Sequence, residues 1–268
     1  MLDKDKIGVA VITCNREEMV TNLLDSMDRS KFGPAVIIND GRALENYRIT
    51  SHYTYLQTGG AGVGKAKNAA MQYLLDEGAE YIFIIEDDML ILDNDIFERY
   101  IEVSRKTGIE HMMFGYHGPA NKAGVSGGPP VPKYVIDYND NIKININHHC
   151  VGAFCFYTAR GLNEVGMFDE NYINAFEHVD HSYKLAKKGY STPYWNWADI
   201  SDSVNYIEEQ ACSEDNSSIR PRSDWKSNIK EAWNYFIDVN GTDPVSVPDI
   251  PLDKLKTLLK SIYENKSR

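Results

Sequence analysis

Residues Tyr81 to Ile85 form an apolar run of β character that ends directly on three consecutive carboxylates, Glu86, Asp87 and Asp88, before Met89 to Leu92 resume it. A run rich in isoleucine and phenylalanine, preceded by Gly78 and flanked by helical patterns, predicts a strand buried on both faces of a mainly parallel sheet. Ligands in open α/β sheets sit at the carboxyl ends of strands. Three adjacent anions also repel one another unless a cation or a proton relieves them. The triplet is therefore a candidate metal site, and oxygen donors at this spacing suit Mg2+ or Mn2+ held by one or two carboxylates plus the phosphates of a substrate. The competing reading is a solvated acidic turn after a core strand.

The chain before and after the triplet alternates strands with helices. Ile7 to Ile12 is an apolar strand left by the polar turn Thr13-Cys14-Asn15-Arg16. Glu17 and Glu18 then open a helix with Val20, Leu23, Leu24 and Met27 at helical spacing, the acids lying at the positive end of its dipole. Strands follow at Ala35 to Ile38, closed by Asn39-Asp40-Gly41, and at Tyr53 to Leu56. The glycines from Gly59 to Gly64 lead into a helix over about Lys65 to Asp76. Such a loop can bring backbone N–H groups to a phosphate, but its spacing is not that of a Walker loop, and a flexible connection is the plainer reading. A helix over about Asn94 to Lys106, a strand from His111 to Tyr116, a hairpin around Asn139-Asp140-Asn141 and a strand from Val151 to Tyr157 come next. Glu177-His178-Val179-Asp180-His181 opens a helix that Gly189 is placed to end. Between these elements, His117 to Pro132 is rich in glycine and proline, and a loop of that length predicts a mobile cover for a site.

With 268 residues the chain has room for one large domain and a modest appendage, here residues 1–203 and 204–268. A formal net charge of -11 argues against nucleic-acid partners, which call for clustered Lys and Arg. The charged N-terminus and the lack of a membrane-length apolar run predict a cytoplasmic protein. Cys14, Cys150, Cys155 and Cys212 are scattered, which predicts reduced thiols rather than a disulfide framework or zinc site. In the appendage, Trp225, Ile229, Trp233 and Phe236 form a stripe expected to dock on the main domain. A last helix carries Leu252, Leu255, Leu258, Leu259 and Ile262 flanked by Lys254, Lys256, Lys260 and Lys266, and its expected contact is a partner or the inner face of a membrane.

Six stretches carry a resemblance: Ile12 to Arg16, Ile38 to Gly41, Gly64 to Asn68, Glu86 to Asp88, Gly166 to Glu170 and Glu177 to Asp180. In order and approximate spacing they resemble glycosyltransferase family 2, over about residues 6 to 200. The resemblance implies an α/β chain of GT-A type, with a Rossmann-like, mixed but mainly parallel sheet flanked by helices and a helical C-terminal extension. Residues 1–116 would bind a nucleotide sugar and residues 117–203 an acceptor. It implies transfer of a sugar from a nucleotide diphosphate donor, a UDP-sugar by expectation, to a hydroxyl of a glycan or other acceptor, with inversion and with Mn2+ or Mg2+ as cofactor. Thr13, Asn15, Arg16, Asn39, Asp40, Gly64, Lys67, Asn68 and Asp87 would bind the nucleotide. Glu86, Asp88 and His181 would face the metal, and Glu177, His178 and Asp180 would form the acceptor end.

Three positions depart from the family pattern. Asn39 stands where Asp is usual, so the base can be uracil or cytosine, since an amide both accepts and donates. Lys67 replaces an Arg and keeps the charge without the bidentate fork. His178 falls on the Asp that serves as base in inverting relatives; a histidine can take that role near neutral pH, with Glu177 as the alternative. A nucleotidyltransferase or a sugar-binding module without catalysis are the rival readings.

Overall fold

The computed structural model describes residues 2–45, 51–124, 127–138, 141–173, 175–210 and 223–266. In chain order it runs β1 (Ile7–Thr13), α1 (Glu17–Ser26), β2 (Ala35–Asn39), β3 (Thr54–Gln57), α2 (Val63–Asp76), β4 (Tyr81–Glu86), β5 (Met89–Ile91), α3 (Ile96–Thr107) and β6 (His111–Met113). Then come β7 (Tyr134–Asp137), β8 (Lys143–Asn147), β9 (Phe154–Thr158), α4 (Ala159–Val165), α5 (Glu177–Lys187), β10 (Trp197–Ile200), β11 (Ile207–Glu209), α6 (Trp225–Asn240) and α7 (Leu252–Lys266).

The central sheet has the order β3-β2-β1-β4-β9-β6. β1 is buried along its whole length and pairs in parallel with β2 and β4, Val11 lying opposite both Ile37 and Ile85. β9 runs antiparallel to both β4 and β6, which turns β6 parallel to β4. The carboxyl ends of β1, β2, β4 and β6 therefore share one edge with the amino end of β9. That edge collects the turn after β1, Asn39 and Asp40, the acidic triplet, the segment after β6 and Val151 to Ala153.

Two helical layers cover the sheet. α2 buries Ala66, Ala70, Met71 and Leu74 against β1 and β2, each large apolar side chain contributing about 1.5–3 kcal/mol. The backbone comes so close at the start of β1 that a Cβ on Gly8 would lie 2.8 Å from that of Ala79. Around β4, Phe83 packs edge-on against Phe97 of α3 at 5.0 Å, and Tyr100 tilts against Phe154 at 5.3 Å. A separate antiparallel sheet, β10-β8-β7, builds the second half. β10 begins at Trp197, just after Trp195 takes a left-handed conformation with φ 66°.

After Asp202, β11 pairs antiparallel with β5, Glu209 opposite Met89. Strands of three residues give no readable periodicity. The pairing brings Gln210 to the triplet, where its amide donates to the carbonyls of Asp87 at 2.8 Å and Met89 at 3.2 Å.

α6 docks as its aromatic stripe predicts, Phe236 being fully buried among Phe176, Tyr183 and Tyr194, and Trp233 meeting Phe176 edge-on at 5.7 Å. For α7 the expectation is corrected. Leu255, Leu259 and Ile262 are buried, the helix packs on α3, and the Gly108 turn approaches so closely that a Cβ there would sit 2.9 Å from the Ile262 carbonyl oxygen. Three of the five stripe residues are thus covered by the chain itself, while Leu258 stays exposed. Among the described residues no helix is long and apolar enough to cross a membrane. Among the described residues Cys14, Cys150 and Cys155 form no disulfide with one another, and Cys212 lies outside the described residues.

Candidate active site

The acidic corner is built where β4 ends beside β1. Thr13 donates its hydroxyl to Asp87 at 2.6 Å, and Arg16 donates Nε to the same carboxylate at 3.2 Å while a second guanidinium nitrogen closes the ion pair. The Arg16 fork also reaches Asp88 Oδ2 at 3.2 Å. Asp87 is wholly buried, and burial pushes its carboxyl up to about 7 against the pull of Arg16 and Thr13. Asp88 is buried as well, but His117 and Arg16 outweigh burial and hold it at about 2. His117 Nε2 lies 3.4 Å from Asp88 Oδ1, and Asp88 in turn raises the imidazole above its ordinary value against the effect of burial. Asp87 is therefore the fixed counter-ion of Arg16, not a group open to ribose, and Arg16 is locked by the carboxylates.

A second cluster ties the triplet to α5. Lys67 is 1% exposed, with its Nζ 2.8 Å from Glu86 Oε1, 3.3 Å from Glu177 Oε1 and 3.3 Å from the Gly152 carbonyl. Burial alone would lower its pKa, but Glu86 and Glu177 raise it well above the usual lysine range. Glu177 is held below the usual carboxylate range because Lys67 and His178 outweigh its burial. Glu177 Oε1 is 3.1 Å from His178 Nδ1. The His178 ring lies on Gly152, where a Cβ would meet its Cγ at 2.9 Å. Gly152 thus accepts from Lys67 and makes room for His178 at once.

The residues assigned to the nucleotide by resemblance mostly shape its surroundings. Asp40 accepts from Thr58 Oγ1 at 2.6 Å and from the backbone N–H groups of Gly60, Ala61 and Gly62 at 3.0, 2.7 and 2.9 Å. The glycine-rich loop therefore wraps a carboxylate of its own chain rather than presenting those donors to a phosphate, and the positive φ of 84° and 98° at Gly60 and Gly62 is what lets it do so. Asn39 is fully buried, donating to the Arg42 carbonyl at 2.6 Å and the Tyr55 hydroxyl at 2.7 Å and accepting from Gly41 N at 2.9 Å. Its amide supports the loop and is not presented to a base. Asn15, at φ 59°, accepts from Arg42 N at 2.8 Å and clamps the same loop. Asn68 exchanges hydrogen bonds with both backbone groups of Phe168, at 3.0 and 2.8 Å, and Gly64 is buried beside Asp169, Tyr172 and Glu177.

Two expected site residues point elsewhere. His181 is fully buried with Nε2 2.8 Å from the Gly166 carbonyl and its ring on Phe168 at 4.4 Å, and burial pulls it down to about 4. Its ring packs into the core behind α5 and does not face the triplet. Asp180 pairs with Lys184 at 2.6 Å and accepts from Asn240 of α6 at 2.8 Å. It fastens the C-terminal helix α6. Conversely, His117, Gly152 and Gln210 belong to the site and were not singled out. His117 follows an apolar strand as the triplet does, which was a usable signal. Gly152 and Gln210 depend on close approach between distant segments. The loop from His117 is pinned at its start, since Gly118 N donates to Glu209, Lys122 pairs with Glu209 at 2.6 Å and Asn121 donates to the Gly115 carbonyl at 2.7 Å.

The sheet order, the acids after β4 and the added antiparallel β9 define the GT-A fold of glycosyltransferases. No protein-family model matches the chain, and no curated protein matches it. Solved structures do. The chain is similar to residues 1–349 of TarS from S. aureus, at 15% identity and TM-score 0.55 over 97% of this chain and 71% of that one. It is also similar to the mannosyltransferase PcManGT from Pyrobaculum calidifontis, solved with GDP-Man and Mn2+, at 13% identity and TM-score 0.51 over 96% of this chain and 69% of that one. GalNAc-T7, solved with UDP, GalNAc and Mn2+, aligns at 12% identity and TM-score 0.55 over 96% of this chain and 54% of that one.

Proposed function

We propose that the chain is a divalent-metal-dependent glycosyltransferase that moves a sugar from a nucleotide diphosphate donor to a hydroxyl of a glycan or other acceptor, with inversion at the anomeric carbon. The observation that carries this reading is the Lys67 ammonium, held at once by Glu86 of the triplet at 2.8 Å and by Glu177 of α5 at 3.3 Å. One buried cation joins a corner suited to a metal and diphosphate with a helix end suited to a base.

In this reading Asp88 and Glu86 face the donor phosphates. A divalent ion bound there supplies Lewis-acid stabilisation of the leaving diphosphate. Asp88 suits such an ion because its carboxyl stays ionised down to about pH 2. Among the described residues no three His, Cys, Asp or Glu side chains are placed to hold a metal ion by themselves, so donor phosphates would complete the coordination. At the acceptor end Glu177 accepts the Nδ1 proton of His178, which leaves Nε2 to take a proton. The acceptor oxygen forms its bond to the anomeric carbon as the bond to phosphate breaks. The electron pair leaves on the diphosphate and the hydroxyl proton passes to His178.

Support from comparison is of the fold, with a metal and nucleotides present in two of the similar structures. The test is a panel of UDP-, GDP- and CDP-sugars incubated with the protein and Mn2+, followed by release of nucleoside diphosphate. Release from at least one donor, abolished by excess chelator, is expected; release that is unchanged by chelator would contradict the metal reading, and none from any donor would contradict the enzyme.

A further inference from the structure

We infer that His117 is the second protein ligand of the divalent ion, paired with Asp88, an assignment that rests on the metal-dependent reading above. Most oxygens of the acidic triplet already have partners within the chain. Both Asp87 oxygens are taken by Thr13 and Arg16, Glu86 is tied to Lys67, and Arg16 occupies the Oδ2 side of Asp88. The other oxygen of Asp88 faces an imidazole from the segment that follows β6, with His117 Nε2 3.4 Å from Asp88 Oδ1. An octahedral ion with bonds of roughly 2.1–2.3 Å places two neighbouring donors about 3.0–3.3 Å apart. The observed pair needs only a small adjustment to hold an ion between them.

The backbone on either side of His117 is also anchored. Gly115 N donates to the buried Asp199 at 3.0 Å, and Gly118 N donates to Glu209, which is fixed in turn by Lys122 at 2.6 Å. The His117 side chain keeps 26% of its surface exposed while that of Asp88 keeps 8%, so the pair is open on the histidine side, where a diphosphate can enter. One carboxylate with one imidazole is a donor set that suits Mn2+ over Ca2+. It replaces His181, whose ring faces the Gly166 carbonyl.

The test uses Mn2+ as its own probe. Mn2+ is titrated into the full chain with UDP, GDP or CDP, free ion is followed by electron paramagnetic resonance, and the bound ion is examined for electron spin-echo modulation from a directly coordinated 14N nucleus. The wild type should bind Mn2+ in a nucleotide-dependent way and show the 14N modulation. His117→Ala should lose the modulation and bind Mn2+ about tenfold more weakly or worse, while His178→Ala keeps the modulation. Nucleotide-dependent Mn2+ binding with no 14N modulation, or modulation that survives in His117→Ala, would overturn this assignment and leave the wider reading standing. Absence of Mn2+ binding with every nucleotide would overturn both.

Discussion

Glu177 Oε1 and His178 Nδ1 lie 3.1 Å apart, so neighbouring residues at the first turn of α5 share one hydrogen bond. That bond fixes the imidazole tautomer with Nε2 available as the basic nitrogen. His178→Ala is expected to lower sugar transfer by at least about 10²-fold, the lower end of a general-base contribution, with donor KM nearly unchanged. Steady-state kinetics with saturating acceptor checks this. Full activity in His178→Ala together with an inert Glu177→Ala would move the base to Glu177.

Gly152 is expected to be irreplaceable for a steric reason. A Cβ there would meet His178 at Cγ, 2.9 Å, and Nδ1, 3.1 Å, distances at which the ring must move. Gly152→Ala should reduce kcat about tenfold or more while a thermal melt stays close to wild type, since misplacement of a catalytic group by about 1 Å is enough. Unchanged kcat would show that the ring has no fixed role.

Lys67→Met should destabilise the protein by about 3–5 kcal/mol, because it leaves the buried Glu177 beside Glu86 without their shared cation. Urea denaturation measures the loss. Adding Glu177→Gln to Lys67→Met should recover part of it, and a double variant no more stable than the single one would contradict the account.

Much of this site was readable from residues because strand ends are readable. The triplet, the turn after β1 and Asn39 with Asp40 fall on one sheet edge as the alternation of apolar runs and polar turns predicts. What could not be read is which way a side chain faces within a helix and what a loop folds back upon. Asp180 and His181 are three and four residues beyond Glu177, close enough in sequence to join it, yet they are held by Asn240 and by the Gly166 carbonyl. Asp40 looked like a ligand residue and proves to organise the glycine loop. The α7 stripe has the same pattern whether it meets a membrane or α3, and only the fold decides between them.

Truncation after Pro251 is expected to damage the fold, since it removes Leu255, Leu259 and Ile262 from α3. Leu255→Ala alone should cost about 2–5 kcal/mol as a fully buried leucine. A melting temperature unchanged in either variant would revive the view of α7 as a separable arm. Any contact of α7 with a membrane would then have to run through its exposed Lys254, Lys256 and Lys260, and flotation with anionic vesicles would detect it.

Asp199 predicts a pH effect on stability. Burial pushes its carboxyl up to about 7 although Tyr100, Ser203 and Gly115 donate to it. Between about pH 4 and pH 7 the folded state then holds a proton that the unfolded state releases, so this group makes stability fall as pH rises, by at most about 1.4 kcal/mol per pH unit. Asp199→Asn, isosteric with the protonated acid, should flatten that slope in denaturation curves at pH 5 and 7. An identical slope in the variant would count against it.

In the proposed reading Asp88 and His178 stand at the donor and acceptor ends of one site. Calorimetric titration of UDP, GDP and CDP in Mn2+ tests it most directly on wild type, Asp88→Asn and His178→Ala. One nucleotide should bind wild type and His178→Ala alike and bind Asp88→Asn at least about tenfold more weakly; equal binding to all three proteins, or none to wild type, would contradict the account.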